Sequence, residues 1–261
     1  MWSEIKQVYL DSRKPRDIFW NVYVARPLAA PLVWVFSKTS ITPNQVTFLG
    51  ALVFLGVVAA LVALPGAWGL LVAAACLELA YLFDCADGQL ARITRKTSMV
   101  GAYLDFLIDE FKALGLVGAF SVRMWWHHGH DELWLIVGIL GTALVCVATS
   151  LTTFVRRVEY AGKEIKPGVH EERVAPSSPI GKVVRLLERG AQWLIHYPSW
   201  FVYFALLDLT GVYDLILSPV LPRGGGANVV FLAAFLGVYA LYAAKTGLGV
   251  VLKLGRSSYY K

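Results

Sequence analysis

Charge is scarce in this chain, and paired cysteine is missing altogether. Asp, Glu, Lys and Arg make up only 16% of its 261 residues, hydrophobic residues make up 57%, and the mean hydropathy is +0.58. So little polarity cannot wet the surface of a soluble domain, which leaves an integral membrane protein. The three cysteines exclude a disulfide framework and a paired metal-ligand spacing: Cys76 and Cys146 fall in apolar stretches and Cys85 lies inside an acidic cluster, so all three read as packing residues. No internal repeat is present, and the one low-complexity run is Gly224-Gly225-Gly226, read as an outer turn. The first forty residues lack a basic patch leading into a short apolar core and a small-residue cleavage site, so no removable signal peptide is expected.

Long apolar runs are what the chain does have. They lie at about 46–64, 67–91, 98–122, 133–155, 193–218 and 228–252, each near the roughly 20 residues that cross a hydrocarbon core. The expected fold is an all-α integral membrane protein of six transmembrane helices preceded by an N-terminal amphipathic interfacial helix. Charges blur the edges of three runs: Asp105, Asp109, Glu110 and Lys112 in the third, Asp208 and Asp214 in the fifth, Lys245 in the sixth. Lys and Arg number six in residues 1–42, three in 92–96, eight in 156–189 and three in 253–261, whereas the opposite loops offer Arg123 and Arg223. The positive-inside bias therefore puts both termini, and the turn between the second and third spans, in the cytoplasm. The net charge of +6 reads as topology signals and contacts with anionic lipid heads, not as a nucleic-acid surface.

Two domains follow. Residues 1–42 form a cytoplasmic and interfacial segment, in which Arg16 to Lys38 mixes Trp20, Tyr23, Leu28, Val33, Trp34 and Phe36 with basic residues and two prolines. Its apolar run, Leu28 to Phe36, is too short to span, so it is expected to lie along the membrane. Residues 43–261 form the six-helix catalytic domain, begun by Thr42 as N-cap and Pro43 at the first helical position. A cytoplasmic loop occupies about 156–190, and the basic amphipathic stretch Lys182 to Trp193 reads as a second surface helix.

Four aspartates at the ends of the second and third runs carry the chemistry. Asp84 and Asp87 are three apart and Asp105 and Asp109 four apart, so each pair shares one face of its own helix. A carboxylate costs about 2.5–3.5 kcal/mol at mid-membrane, and carboxylates that share a site also repel one another. A divalent cation removes both penalties, and an all-oxygen set with open positions suits Mg²⁺ or Mn²⁺ held together with substrate phosphates.

Written out, the stretch is Asp84-x2-Asp87-Gly88-x2-Ala91-Arg92-x8-Gly101-x3-Asp105-x3-Asp109. It resembles the signature of the CDP-alcohol phosphotransferase family (CDP-alcohol phosphatidyltransferases) at every defined position. The resemblance extends to the Thr-Pro-Asn start of the first span and to the six-helix count, although only 84–109 is specific. It implies two divalent ions on Asp84, Asp87, Asp105 and Asp109, and a CDP donor held by Asp84, Gly88, Ala91, Arg92, Gly101 and Asp105. The glycines lack Cβ atoms and allow close backbone approach, and the planar fork of Arg92 suits a phosphate oxygen. The implied reaction is transfer of the substituted phosphate of a CDP-alcohol, first of all CDP-diacylglycerol, to an acceptor hydroxyl with release of CMP. Asp109 is the candidate general base, provided one oxygen stays free of metal. The resemblance also implies a homodimer. A basic residue usually follows the last aspartate in members that take inositol phosphate; here Glu110 stands there, which argues against that acceptor.

Other readings compete. A CDP-linked small alcohol with diacylglycerol as acceptor is the alternative within the family. Outside it stand an intramembrane prenyltransferase, which expects two separated acidic motifs and more spans, and a Mg²⁺-linked transporter. Arg156 and Arg157 bind a lipid head or an acceptor phosphate, or serve as interfacial anchors. Glu78 is expected to pair with Lys112, Lys245 or a polar group, and Glu110 and Lys112 either line the acceptor site or form an ion pair. His127, His128, His130 and Asp131 read as a solvated outer turn beside a belt of Trp125, Trp126 and Trp134.

Overall fold

The computed structural model describes residues 1–14, 17–156, 197–217, 219 and 225–254. Helix α1 (Trp2–Asp11) is followed by a π-helical turn (Asn21–Ala25) that runs directly into α2 (Arg26–Ser37). Then come α3 (Pro43–Ala63), α4 (Gly66–Ile93), α5 (Met99–His127), α6 (Leu133–Arg156), α7 (Tyr197–Asp208), α8 (Val212–Leu217) and α9 (Gly226–Leu254). All the regular structure among the described residues is helical.

Local chemistry explains where the long helices begin. Thr42 Oγ1 accepts the Gln45 amide at 3.4 Å while Gln45 Oε1 accepts the Thr42 amide at 2.9 Å. This reciprocal capping box, with Pro43 behind it, sets the start of α3. Ser98 Oγ caps α5 by accepting from the Gly101 amide at 3.0 Å. Gly66, with φ +62, makes the turn from α3 into α4.

Four helices are long and apolar enough to cross a membrane: Pro43–Ala63, Gly66–Ile93, Leu133–Val155 and Gly226–Leu252. Helix α5 has the length but carries Asp105, Asp109, Glu110, Lys112 and Arg123. The run expected at 193–218 differs most: its described part is two helices, broken where Gly211 takes φ +70 and Leu207 O accepts from the Thr210 amide. A residue in the left-handed region cannot continue a right-handed helix. The loop expected at about 156–190, the helix expected at 182–193, Arg157 and Arg223 lie outside the described residues.

Helix α4 is the spine. It packs against α3, α2 and α7, while α5 packs against α3 and α6, and α9 against α6 and α7. Phe54, Leu61, Leu77, Phe120, Phe201 and Phe231 belong to one large buried cluster. A second cluster joins Ala25, Ala29 and Val33 of the N-terminal segment to Val46 of α3 and to Cys85, Ala86 and Leu90 of α4. Helices α3 and α4 approach closely at Gly50, where a Cβ would stand 3.0 Å from Phe83 Cβ.

Arg123 is not in an outer loop, as the charge count had placed it, but inside the bundle at 1% exposure. Its guanidinium donates to the carbonyls of Leu61, Leu64 and Gly66 at 2.9, 2.5 and 2.6 Å and to Asn228 Oδ1 at 2.9 Å. The orphan carbonyls at the end of α3 are thereby satisfied by a side chain of α5 that also reaches α9.

Candidate active site and metal centre

The last third of α4 and the first third of α5 meet across the turn at 94–98, and their carboxylates face one another. Asp84, Asp105 and Asp109 each bring an oxygen within 4.8 Å of the others. Asp105 Oδ1 is buried with no hydrogen-bond partner among the described residues. A buried carboxylate oxygen lacking a donor, beside two more carboxylates, is what a hard divalent cation satisfies. The residues present fit Mg²⁺ or Mn²⁺, with Asp84, Asp105 and Asp109 as the ligands that the geometry supports.

Asp87 is turned differently. It is buried, and its Oδ2 accepts from Thr47 Oγ1 of α3 at 2.5 Å. Of the four aspartates singled out in the sequence, three converge directly, and the fourth, on the same helix as Asp84, is held by a hydroxyl of α3.

Lys112 is the unforeseen member. It is 4% exposed, and its Nζ donates to Asp84 Oδ1 at 2.7 Å and to Asp109 Oδ1 at 3.1 Å. It therefore serves as the internal countercharge of the aspartate cluster. Spacing held a hint, since Lys112 lies three residues after Asp109 on the same helical face; the contact with Asp84 comes about because α4 and α5 both pack on α3. Glu78 lies instead beside Trp20 of the N-terminal segment.

The cluster opens into a cavity of about 860 Å³ lined on one side by Asp84, Asp87, Gly88, Arg92, Asp105 and Asp109. The lining is elsewhere aromatic and hydroxylic, with Tyr197, Trp200, Tyr239, Tyr242, Thr149 and Thr152, and Glu110 and Lys245 also reach it. Of the residues implied to hold the donor, Ala91 and Gly101 lie outside this lining. At Gly101 a Cβ would stand 3.2 Å from Asn44 Oδ1 and from Ser98 Oγ, so this glycine lets the start of α5 pack on the start of α3. At Gly88 the nearest group to a Cβ is Arg92 Nη1, at 3.3 Å.

The N-terminal segment is bolted to this wall by polar contacts that sequence reading missed. Gln89 Nε2 donates to Ser12 Oγ at 2.9 Å, Arg92 Nε to Ser12 O at 2.7 Å, and Tyr81 Oη to Asn21 Oδ1. Lys14, Asn21 and Arg26 thus join the cavity lining. At the far end of α5, His127 Nε2 lies 2.9 Å from Val62 O, and the ring of His130 packs on Trp125 and Trp126. Those histidines are not brought together as a metal group among the described residues.

Comparison with protein families matches residues 40–205 to the model described as CDP-alcohol phosphatidyltransferase. A phosphatidylinositol phosphate synthase of Corynebacterium glutamicum is 32% identical over 165 residues, covering 62% of this chain and 67% of that protein. Bifunctional IPC transferase and DIPP synthases of Thermococcus kodakarensis and Aquifex aeolicus are each 31% identical, over 112 and 111 residues. The matched stretch is 42% and 41% of this chain but 24% of each of those proteins, so the chain spans about a quarter of their length.

Proposed function

The chain belongs to the CDP-alcohol phosphatidyltransferase family, and from that premise we propose that it is a membrane phosphotransferase of phospholipid synthesis. Its donor is CDP-diacylglycerol and its acceptor a polar alcohol. The observation that carries this reading is the convergence of Asp84, Asp105 and Asp109 at the mouth of a cavity that also presents Arg92 and Gly88.

The acceptor hydroxyl oxygen bonds to the phosphorus of the phosphatidyl group. The bond from that phosphorus to the oxygen bridging it to the CMP phosphate breaks, and CMP departs with the electron pair. Asp109, whose side chain is 52% exposed, takes the hydroxyl proton. Arg92 offers hydrogen bonds to the departing phosphate, and the aromatic wall keeps bulk water from competing as acceptor. Divalent ions held by Asp84, Asp105 and Asp109, with Asp87 completing the set, would supply charge neutralisation and Lewis acidity. Lys112 orients Asp84 and Asp109 toward one another.

Six spans, with α5 and the 193–218 region added to the four apolar helices, put both termini and the cavity on the cytoplasmic side. That topology rests on the distribution of Lys and Arg. The working unit is a homodimer, an expectation carried from the family resemblance. The name of the corynebacterial relative puts inositol phosphate on the acceptor panel, while Glu110 in the cavity lining favours an uncharged polyol.

The test is CMP release by purified protein in liposomes with Mg²⁺ or Mn²⁺, CDP-diacylglycerol and a panel of acceptors. Acceptor-dependent CMP, abolished in Asp105→Asn and reduced at least about 100-fold in Asp109→Asn, is expected. CMP formed only from a CDP-linked small alcohol with diacylglycerol would move the donor to that class. Silence with both donor classes would sink the reading.

A further inference from the structure

Arg26 opens α2 at 5% exposure, and its Nε pairs with Asp17 Oδ2. The other oxygen of Asp17 is already engaged, accepting from the Ile18 amide and from Asn21 Nδ2, each at 2.9 Å. Arg26 Nη1 is left buried with no hydrogen-bond partner among the described residues. Arg92 on α4 repeats the arrangement: its Nε is fixed by Ser12 O at 2.7 Å while its Nη2 is buried and has no partner among the described residues. Both guanidiniums, with Lys14, line the cavity that holds the aspartates.

Two forks, each anchored by Nε and each with a buried terminal nitrogen left unsatisfied among the described residues, call for an acceptor that those residues do not supply. Like charges on the same wall repel, and one Asp17 offsets only part of that. A phosphate resolves both, because its oxygens accept from several guanidinium N–H groups at once.

We propose that Arg26, supplied by the N-terminal segment, and Arg92, supplied by α4, form a clamp for a phosphate-bearing anion, with Asp17 as the residue that positions Arg26. The N-terminal segment is then part of the binding site and not merely a membrane anchor. The assignment of the anion to a CDP-alcohol or its acceptor rests on the function proposed above; the clamp itself does not.

The experiment is calorimetric titration of the full chain in detergent with EDTA present, so that no metal lends the aspartates affinity for phosphate. Inorganic pyrophosphate stands for a donor diphosphate and inorganic phosphate for a monoester. The double variant Asp17→Asn/Arg26→Gln removes both charges together, so no lone buried charge disturbs folding, and its thermal unfolding is checked alongside. The wild type is expected to bind at least one of the two anions, the double variant at least about tenfold more weakly, and Arg26→Lys between them because it keeps charge but loses the fork. Lys6→Gln on exposed α1 leaves binding unchanged. Preference for pyrophosphate assigns the clamp to the donor, and equal binding assigns it to a monoester; either supports the clamp. No anion binding by the wild type, or equal binding by the folded double variant, overturns it. Intact anion binding in a protein that releases no CMP would count against the proposed reaction and leave the clamp standing.

Discussion

Lys112 shows what a single residue does for this cavity. Its ammonium lies within hydrogen-bond distance of Asp84 and Asp109, so the aspartate cluster carries a built-in cation before any metal arrives. Removing one partner of a buried pair costs about 3–5 kcal/mol, and the exposure of Asp109 places the loss near the lower end. Lys112→Met is therefore expected to lower the unfolding midpoint in EDTA, by about 3 kcal/mol in stability, and to regain more on adding Mg²⁺ than the wild type does. Equal melting of the two proteins in EDTA would remove Lys112 from this role. A second residue-scale expectation concerns Glu4, on exposed α1. The Trp34 indole donates to its carboxylate at 2.8 Å and Lys38 Nζ at 3.2 Å, which lowers its pKa from 4.5 to about 2. The folded value lies below the unfolded one, so the bond holding α1 to α2 is fully present above 4.5 and is lost as pH falls toward 2. A nitroxide at Ser3→Cys should gain mobility across that window, and Glu4→Gln should be mobile at every pH.

At the scale of elements, Arg123 closes the end of the bundle away from the aspartates. Gly69 belongs to the same device, since a Cβ there would lie 2.0 Å from Leu64 O and 2.8 Å from Arg123 Nη1. Arg123→Met leaves three carbonyls and Asn228 without their donor, at about 1–3 kcal/mol for each buried group that water cannot reach. The expected outcome is a loss of at least about 4 kcal/mol, read as a lowered unfolding midpoint, with Gly69→Ala similarly destabilising. A wild-type midpoint in both variants would show that the helix ends find other partners. Most helix boundaries of this bundle were legible in the chain: Thr42 and Pro43 mark the start of α3, and the run expected at 133–155 became Leu133–Arg156. The break at 209–211 was not, because an isolated Gly in an apolar run gives little warning of a left-handed φ.

For the whole molecule, the expected orientation separates two ends: the aspartate turn with α1 on one side, and the His127 to Glu132 turn on the other. In a background with Cys76, Cys85 and Cys146 replaced by alanine, a membrane-impermeant maleimide applied to intact spheroplasts should label Glu132→Cys and spare Ser3→Cys until the membrane is opened. The reverse pattern would invert the topology and put the cavity outside.

The membrane character, the four aspartates and the family lay in the sequence itself, because apolar length and the fixed spacing of Asp, Gly and Arg are one-dimensional properties. Which carboxylates actually converge, that Asp87 turns to Thr47, that Lys112 sits among its neighbours, and that Arg26 reaches the cavity from some sixty residues before the aspartates were decided only by tertiary packing. Those contacts join helices distant in the chain, and side-chain reach across an interhelical gap has no periodic signature along a single strand of residues.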